Sequence, residues 1–120
     1  MYVIRIENNL GLIEVSQEYF NEIIGDAVSC CFGVAGMGHT SARHGLRATL
    51  RRRQHAGQGV RVYRDGNGLM VDLHIIVIHG LNISAIVRSI VNKVCYTVEE
   101  ATGLSVRRVN VFVDGMLREE

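Results

Sequence analysis

The residues most able to do chemistry crowd into one stretch of the chain. Between Asp26 and Asp65 there is no carboxylate, and seven arginines stand there: Arg43, Arg47, Arg51, Arg52, Arg53, Arg61 and Arg64. On a helix Arg43, Arg47 and Arg51 fall at i, i+4 and i+8 and form a basic row, suited to an acidic partner or to phosphates. Arginine is the cation for this work because its planar fork can grip a carboxylate or phosphate with two bonds. Shortly before the row lies Gly33-Val34-Ala35-Gly36, a G-x-x-G pattern of the kind with which KH domains clamp single-stranded nucleotides. Gly33, Gly36, Arg43, Arg47 and Arg51 are therefore the candidate partner-binding residues.

Other constellations point away from catalysis. No G-x-S-x-G, P-loop or Rossmann fingerprint is present. Asp72 interrupts the apolar run Val71-Asp72-Leu73, a place from which a carboxylate either alternates out toward solvent or pairs with an arginine. Glu99 and Glu100 read as a polar pair on a helix face. The five histidines (His39, His44, His55, His74, His79) include no i, i+4 pair within a clear helical pattern. The three cysteines, Cys30, Cys31 and Cys95, have neither redox nor zinc spacing and are expected to be buried free thiols. The expectation is a protein without catalytic residues, metal or cofactor.

The elements that must position the basic row follow from periodicity. Tyr2 to Ile6 and Leu12 to Val15 flank Asn8-Asn9 and Gly11, which predicts a hairpin. Ser16 stands as an N-cap, followed by Phe20, Ile23, Ile24, Ala27, Val28 and Cys31 at helical steps, with Gly33 and Gly36 closing the helix. Gly33 to Gly38 reads as loop or bent strand, and Ala42 to Arg53 as a weaker helix. Val60 to Arg64 and Leu69 to Ile78 flank Asp65-Gly66-Asn67-Gly68, a strong hairpin signal. Ile75 to Ile78 does not alternate, which suggests a central strand covered on both faces or one pairing across an oligomer interface. Asn82 caps a long helix with the stripe Ile83, Ile86, Val87, Ile90, Val91, Val94 and Val98, ending near Thr102 with Gly103 as C-cap. Val109, Val111 and Val113 alternate in a last strand before Asp114-Gly115. The expected fold is α+β: a two-layer sandwich with two long helices on one face of a mixed or antiparallel sheet of four to five strands.

Composition bounds this reading. The chain has 120 residues, 48 % of them hydrophobic and 21 % charged, with a formal net charge of +1. That is one globular domain, residues 1–120, of a size that folds without disulfides. No apolar run approaches the ~20 residues of a membrane span, so a cytoplasmic protein without its own anchor is expected.

Three stretches taken together resemble the alkaline shock protein family, also called envelope stress response proteins, of Gram-positive bacteria. They are Gly11-Leu12-Ile13-Glu14-Val15-Ser16, leading into the helix before Gly33-Val34-Ala35-Gly36-Met37; Val71 to Gly80; and Val98 to Leu104 followed by Val109 to Gly115. The resemblance implies a non-enzymatic adaptor concerned with cell-envelope homeostasis, working through protein–protein contacts. Some members of that family are held near the membrane by a small membrane protein, so the resemblance implies as partner a small membrane-anchoring or envelope-biogenesis protein. The chain departs from the family pattern at His79, where an aromatic commonly precedes the glycine, and in the basic character of Arg43 to Arg53. It also stops at Glu120, without a long charged tail. Two further readings stand beside this one: a KH-like RNA-binding module using the glycine loop and nearby arginines, and a homo-oligomer paired through Ile75 to Ile78.

Overall fold

The computed structural model describes residues 2–38 and 59–118. The expected helix over Ala42 to Arg53, with Arg43, Arg47 and Arg51, lies outside them. Within the described residues the architecture is α+β, with two helices, a four-stranded mixed sheet and a separate two-stranded sheet.

The first hairpin is β1 (Tyr2–Asn8) and β2 (Gly11–Ser16), antiparallel from Tyr2–Ser16 to Asn8–Gly11. It does not join the main sheet, which has four strands as expected, but forms a second, two-stranded sheet that the expectation did not include. Helix α1 (Gln17–Ser29) starts at Ser16, whose Oγ accepts the Tyr19 N–H at 3.2 Å and satisfies one orphan donor of the first turn. The helix ends at Ser29, earlier than the apolar stripe suggested, and the chain turns through Gly33 at φ +83°.

β3 (Val34–Met37), β4 (Val60–Asp65), β5 (Gly68–Ile78) and β6 (Val106–Leu117) form the main sheet. β6 runs parallel to β5 over nearly its whole length, from Leu69–Val106 to Ile78–Leu117. β4 pairs antiparallel with the first half of β5 and β3 with the second half. One edge of β5 is thus taken by β6, which leaves the other for β3 and β4 end to end. β5 is the central strand, as its apolar run suggested. With both edges bonded it has none left for another copy, so the expected pairing through Ile75 to Ile78 does not hold.

Helix α2 (Ile83–Thr102) is the crossover that parallel β5 and β6 require. Asn82 Oδ1 accepts the Ala85 N–H (3.1 Å), and Gly103, at φ +75°, donates its N–H to the Glu99 carbonyl (2.9 Å). Both expected caps are in place. Ile86, Ile90, Val94 and Val98 are buried, whereas Ile83 at the start of the stripe is exposed. They share one core with Phe20, Ile24 and Val28 of α1 and with Leu69, Val71, Leu73, Ile75 and Val77 of β5. Each such fully buried side chain contributes about 1.5–3 kcal/mol relative to exposure. β6 does not stop before Asp114-Gly115 as expected; it absorbs Asp114 as a bulge, since Ile75 faces Val113 and Ile76 faces Gly115.

Candidate contact surface around His74

Side chains on a strand alternate between faces. With Leu69, Val71, Leu73, Ile75 and Val77 in the core, the opposite face of β5 carries Met70, Asp72, His74, Ile76 and Ile78, all half-buried. The apolar run Ile75 to Ile78 is therefore covered fully on one face only.

Register decides what meets on this second face. Asp72 lies opposite Asn110, and Asn110 Nδ2 donates to Asp72 Oδ1 at 2.8 Å. Asp72 does turn away from the core, but the bond it makes is with an amide. His74 lies opposite Phe112, and the two rings stack with centroids 4.8 Å apart and planes 18° from parallel. The bulge re-aims Asp114, whose Oδ2 and Oδ1 lie 3.0 and 3.2 Å from His74 Nδ1. On β4 the Arg61 guanidinium sits 5.8 Å from the centre of the Tyr63 ring, within cation–π range.

Two glycines enclose His74. The Gly38 N–H donates to the His74 carbonyl (2.7 Å), and the His74 N–H donates to the Gly59 carbonyl (2.8 Å). A Cβ on Gly38 would lie 2.5 Å from Asp114 Oδ2, and one on Gly59 would lie 2.9 Å from the His74 carbonyl oxygen at φ +90°. Only glycine fits this close approach. The chain thus leaves the described body at Gly38 and re-enters it at Gly59, both bonded to one residue. The intervening residues 39–58 carry Arg43, Arg47, Arg51, Arg52 and Arg53.

The other two candidate residues have structural work. Gly33 is buried at positive φ, and a Cβ there would lie 2.5 and 2.6 Å from Cδ1 and Cγ1 of Ile86. Its carbonyl accepts the Ile78 N–H at 2.9 Å. Gly36 faces Ile76 within β3, beyond a register shift after Val34. The G-x-x-G stretch is a bent strand committed to β5, and not the free phosphate clamp that a KH-type reading needs. Gly33 and Gly36 shape the edge of the sheet, while the arginine row belongs to residues outside those described.

His74 and Asp114 are each about one-third exposed, where such a pair contributes roughly 0–1 kcal/mol. Among the described residues no group of three His, Cys, Asp or Glu side chains could hold a metal. The cysteines are free, as expected, but not buried as expected: Cys30 is exposed, and Cys31 and Cys95 are half-buried. Partial burial pushes the Cys31 thiol above the usual range, against the opposing effects of Ser89 and Lys93. Partial burial and then Glu99 do the same to Cys95. Protonated thiols are poor nucleophiles.

Sequence reasoning missed the His74–Phe112–Asp114 cluster. Its only trace was a histidine two residues after Asp72 and an Asp-Gly taken for a strand end. It also missed Glu99, whose Oε2 accepts the Val106 N–H (3.0 Å) and ties the end of α2 to the start of β6. Among the described residues no helix is long and apolar enough to cross a membrane.

Comparison with known proteins agrees with the resemblance read from the three stretches. Residues 5–118 match the family model of the alkaline shock protein Asp-23 family, described by a cell envelope-related function. The uncharacterized protein YloU of Bacillus subtilis (strain 168) is 33 % identical over 114 residues, covering 94 % of each chain. The uncharacterized protein Spy1614 of Streptococcus pyogenes serotype M6 is 30 % identical over 113 residues, covering 94 % of this chain and 93 % of that one. Among solved structures, a variant of the MamM CTD superposes with a TM-score of 0.47 at 16 % identity, covering 86 % of this chain and 95 % of that one. The family match spans nearly the whole chain and two relatives at 30 % identity or more each cover 94 % of it, so the protein belongs to the alkaline shock protein (Asp-23) family, whose function is related to the cell envelope.

Proposed function

We propose that this protein is a non-enzymatic adaptor of the envelope stress response, working in the cytoplasm through protein–protein contacts and reaching the membrane only through a partner. In this reading the domain is a two-layer sandwich. Both helices cover the Leu69–Val77 face of the sheet, and the His74 face serves contact. Arg43, Arg47 and Arg51 are the contact residues, and Gly33 and Gly36 hold the strand that leads to them.

The observation that carries the reading is the double anchorage at His74. Gly38 and Gly59, the described residues on either side of positions 39–58, are both bonded to His74 of the central strand, and the sequence between them is acid-free and carries five arginines. Rigid scaffolds that carry a functional segment at one point are a common arrangement for recognition. Five arginines without a carboxylate fit a partner with an acidic surface, bound by charge-assisted, two-pronged bonds.

The test is co-purification of the tagged protein from detergent-solubilised cells, with nuclease treatment. An envelope or membrane protein should be retained by the wild type. It should be lost by the variant carrying Arg43→Glu, Arg47→Glu and Arg51→Glu, with its thermal unfolding unchanged. Retention of the same partner by that variant would remove the arginine row from the function. Recovery of nuclease-sensitive RNA in place of a protein would overturn the adaptor reading.

A further inference from the structure

The outer face of α2 carries a constellation that neither the His74 face nor the arginine row uses. Ala85, Arg88, Ser89, Asn92, Lys93 and Tyr96 recur at helical steps along one side of the helix, away from the buried Ile86, Ile90, Val94 and Val98. They line a shallow groove, about 16 Å long at 1.5 Å per residue. The end of α1 closes one end of it. The Cys31 thiol reaches Ser89 and Lys93, and Gly33 packs against the Ile86 side chain, so Phe32 between them stands at that end. Phe32 is 60 % exposed, and Tyr96 at the other end is 64 % exposed.

The chemistry of the groove is one-sided. Arg88 and Lys93 are exposed, and neither forms an ion pair with a described residue. Among the described residues no carboxylate lines the groove, while Ser89 and Asn92 offer hydrogen bonds between the two cations. Exposed aromatic rings flanking an arginine are the residue types that protein interfaces concentrate at their centres. The neighbouring helix narrows the choice of occupant. Glu18, Glu22 and Asp26 fall at i, i+4 and i+8 on the exposed side of α1, which packs beside α2. A nucleic-acid backbone or an anionic bilayer is broad and uniformly negative, so it would meet this acidic row together with the groove, and like charges repel. A single acidic segment can lie along the groove without crossing the row.

We infer that this groove binds an acidic peptide segment of a partner protein, with its carboxylates on Arg88 and Lys93 and its apolar side chains on Phe32 and Tyr96. Arg88 grips a carboxylate with two parallel bonds, and Lys93 acts as a point charge five positions further on. Burying the two rings supplies the apolar part of the contact. This inference goes beyond the adaptor reading, since it concerns a second surface and uses no residue of the arginine row.

NMR titration of the isotopically labelled full-length protein tests it, with a short end-capped peptide of glutamates and leucines as the probe. Amide shifts should map to Phe32 and to Ala85 through Tyr96, and should saturate. The variant Arg88→Glu/Lys93→Glu should weaken binding, read from those shifts, at least about tenfold. Tyr96→Ala should weaken it several-fold. These side chains are exposed, so the fold does not depend on them; the milder Arg88→Gln/Lys93→Gln serves if charge reversal disturbs the helix. A matched peptide of lysines and leucines should leave the groove unshifted. Absence of shifts along the groove, equal binding by the charge-reversed variant, or equal binding of the lysine peptide would each overturn the inference. Tighter occupation of the groove by a single-stranded RNA oligonucleotide or by phosphatidylglycerol vesicles would overturn the peptide as its occupant. Each readout is local to α2, so failure here leaves the co-purification test of Arg43, Arg47 and Arg51 standing, and the reverse holds too.

Discussion

The two hairpins among the described residues start from similar sequence and end in opposite circumstances. Both are short alternating runs around an Asn- or Gly-bearing turn, and both close in antiparallel register. In β4–β5 the apolar face is taken into the core, with Val60, Val62, Leu69, Val71 and Leu73 buried. Among the residues of the β1–β2 arm whose burial is described only Ile4 is buried, and Ile6, Leu12 and Ile13 face solvent. Alternation creates an apolar face in each case. Whether that face is covered depends on what stands over it, and the core shared by the two helices ends before the arm does.

Substitution on the two hairpins should separate them most sharply. Leu73→Ala, in the core of β4–β5, should cost about 3 kcal/mol, since it leaves a cavity among packed neighbours. Leu10→Ala, at the arm tip, should change stability by no more than about 0.5 kcal/mol. Denaturant midpoints at low protein concentration, with equal slopes, measure both. An arm substitution as costly as the core one would mean that the arm is part of the core after all.

Gly33→Ala should follow, at about 1–3 kcal/mol, because it combines a left-handed backbone with a collision against Ile86. Gly11→Ala at the arm is the matching control: its Cβ would meet nothing within 4 Å, though its φ of +146° still carries some strain. Smaller again are the helix caps. Ser16→Ala, where the arm enters α1, and Asn82→Ala, where β5 enters α2, should each cost about 1 kcal/mol. Similar losses at both would show that the arm's root is as well built as the body, leaving only its outer half unsupported.

The smallest effect is a matter of pH. A thiol whose folded-state value is raised by burial stays protonated to higher pH in the folded chain than in the unfolded one. Its contribution to stability is therefore intact below the unfolded thiol value and declines as pH rises through the folded one. For Cys31 and Cys95 this predicts slow alkylation near neutral pH that speeds up in alkali, read by mass spectrometry of labelled peptides. Rapid neutral labelling at either site would contradict their partial burial.

Much of the fold was legible in the residues themselves, because its signals are local. Ser16, Asn82 and Gly103 announced both helix starts and one helix end through backbone groups only a few residues away. Asp65-Gly66-Asn67-Gly68 announced its hairpin through turn geometry. The stripe from Ile86 to Val98 announced the buried face of α2. The candidate site was far less legible. The arginine row and the glycines drew attention by composition, yet Gly33 and Gly36 turned out to be packing and pairing positions of a bent strand.

What the sequence determined by itself was the kind and order of the elements among the described residues, their caps and turns, and membership in an envelope-related family. Tertiary structure alone decided three things. It left the first hairpin outside the main sheet, it carried β6 through Asp114 as a bulge, and it brought His74, Phe112 and Asp114 together between Gly38 and Gly59. The reason is the same in each case. Pairing partners, bulges and cross-strand neighbours are set by contacts between residues dozens of positions apart, and period-2 alternation is the same whichever strand lies alongside.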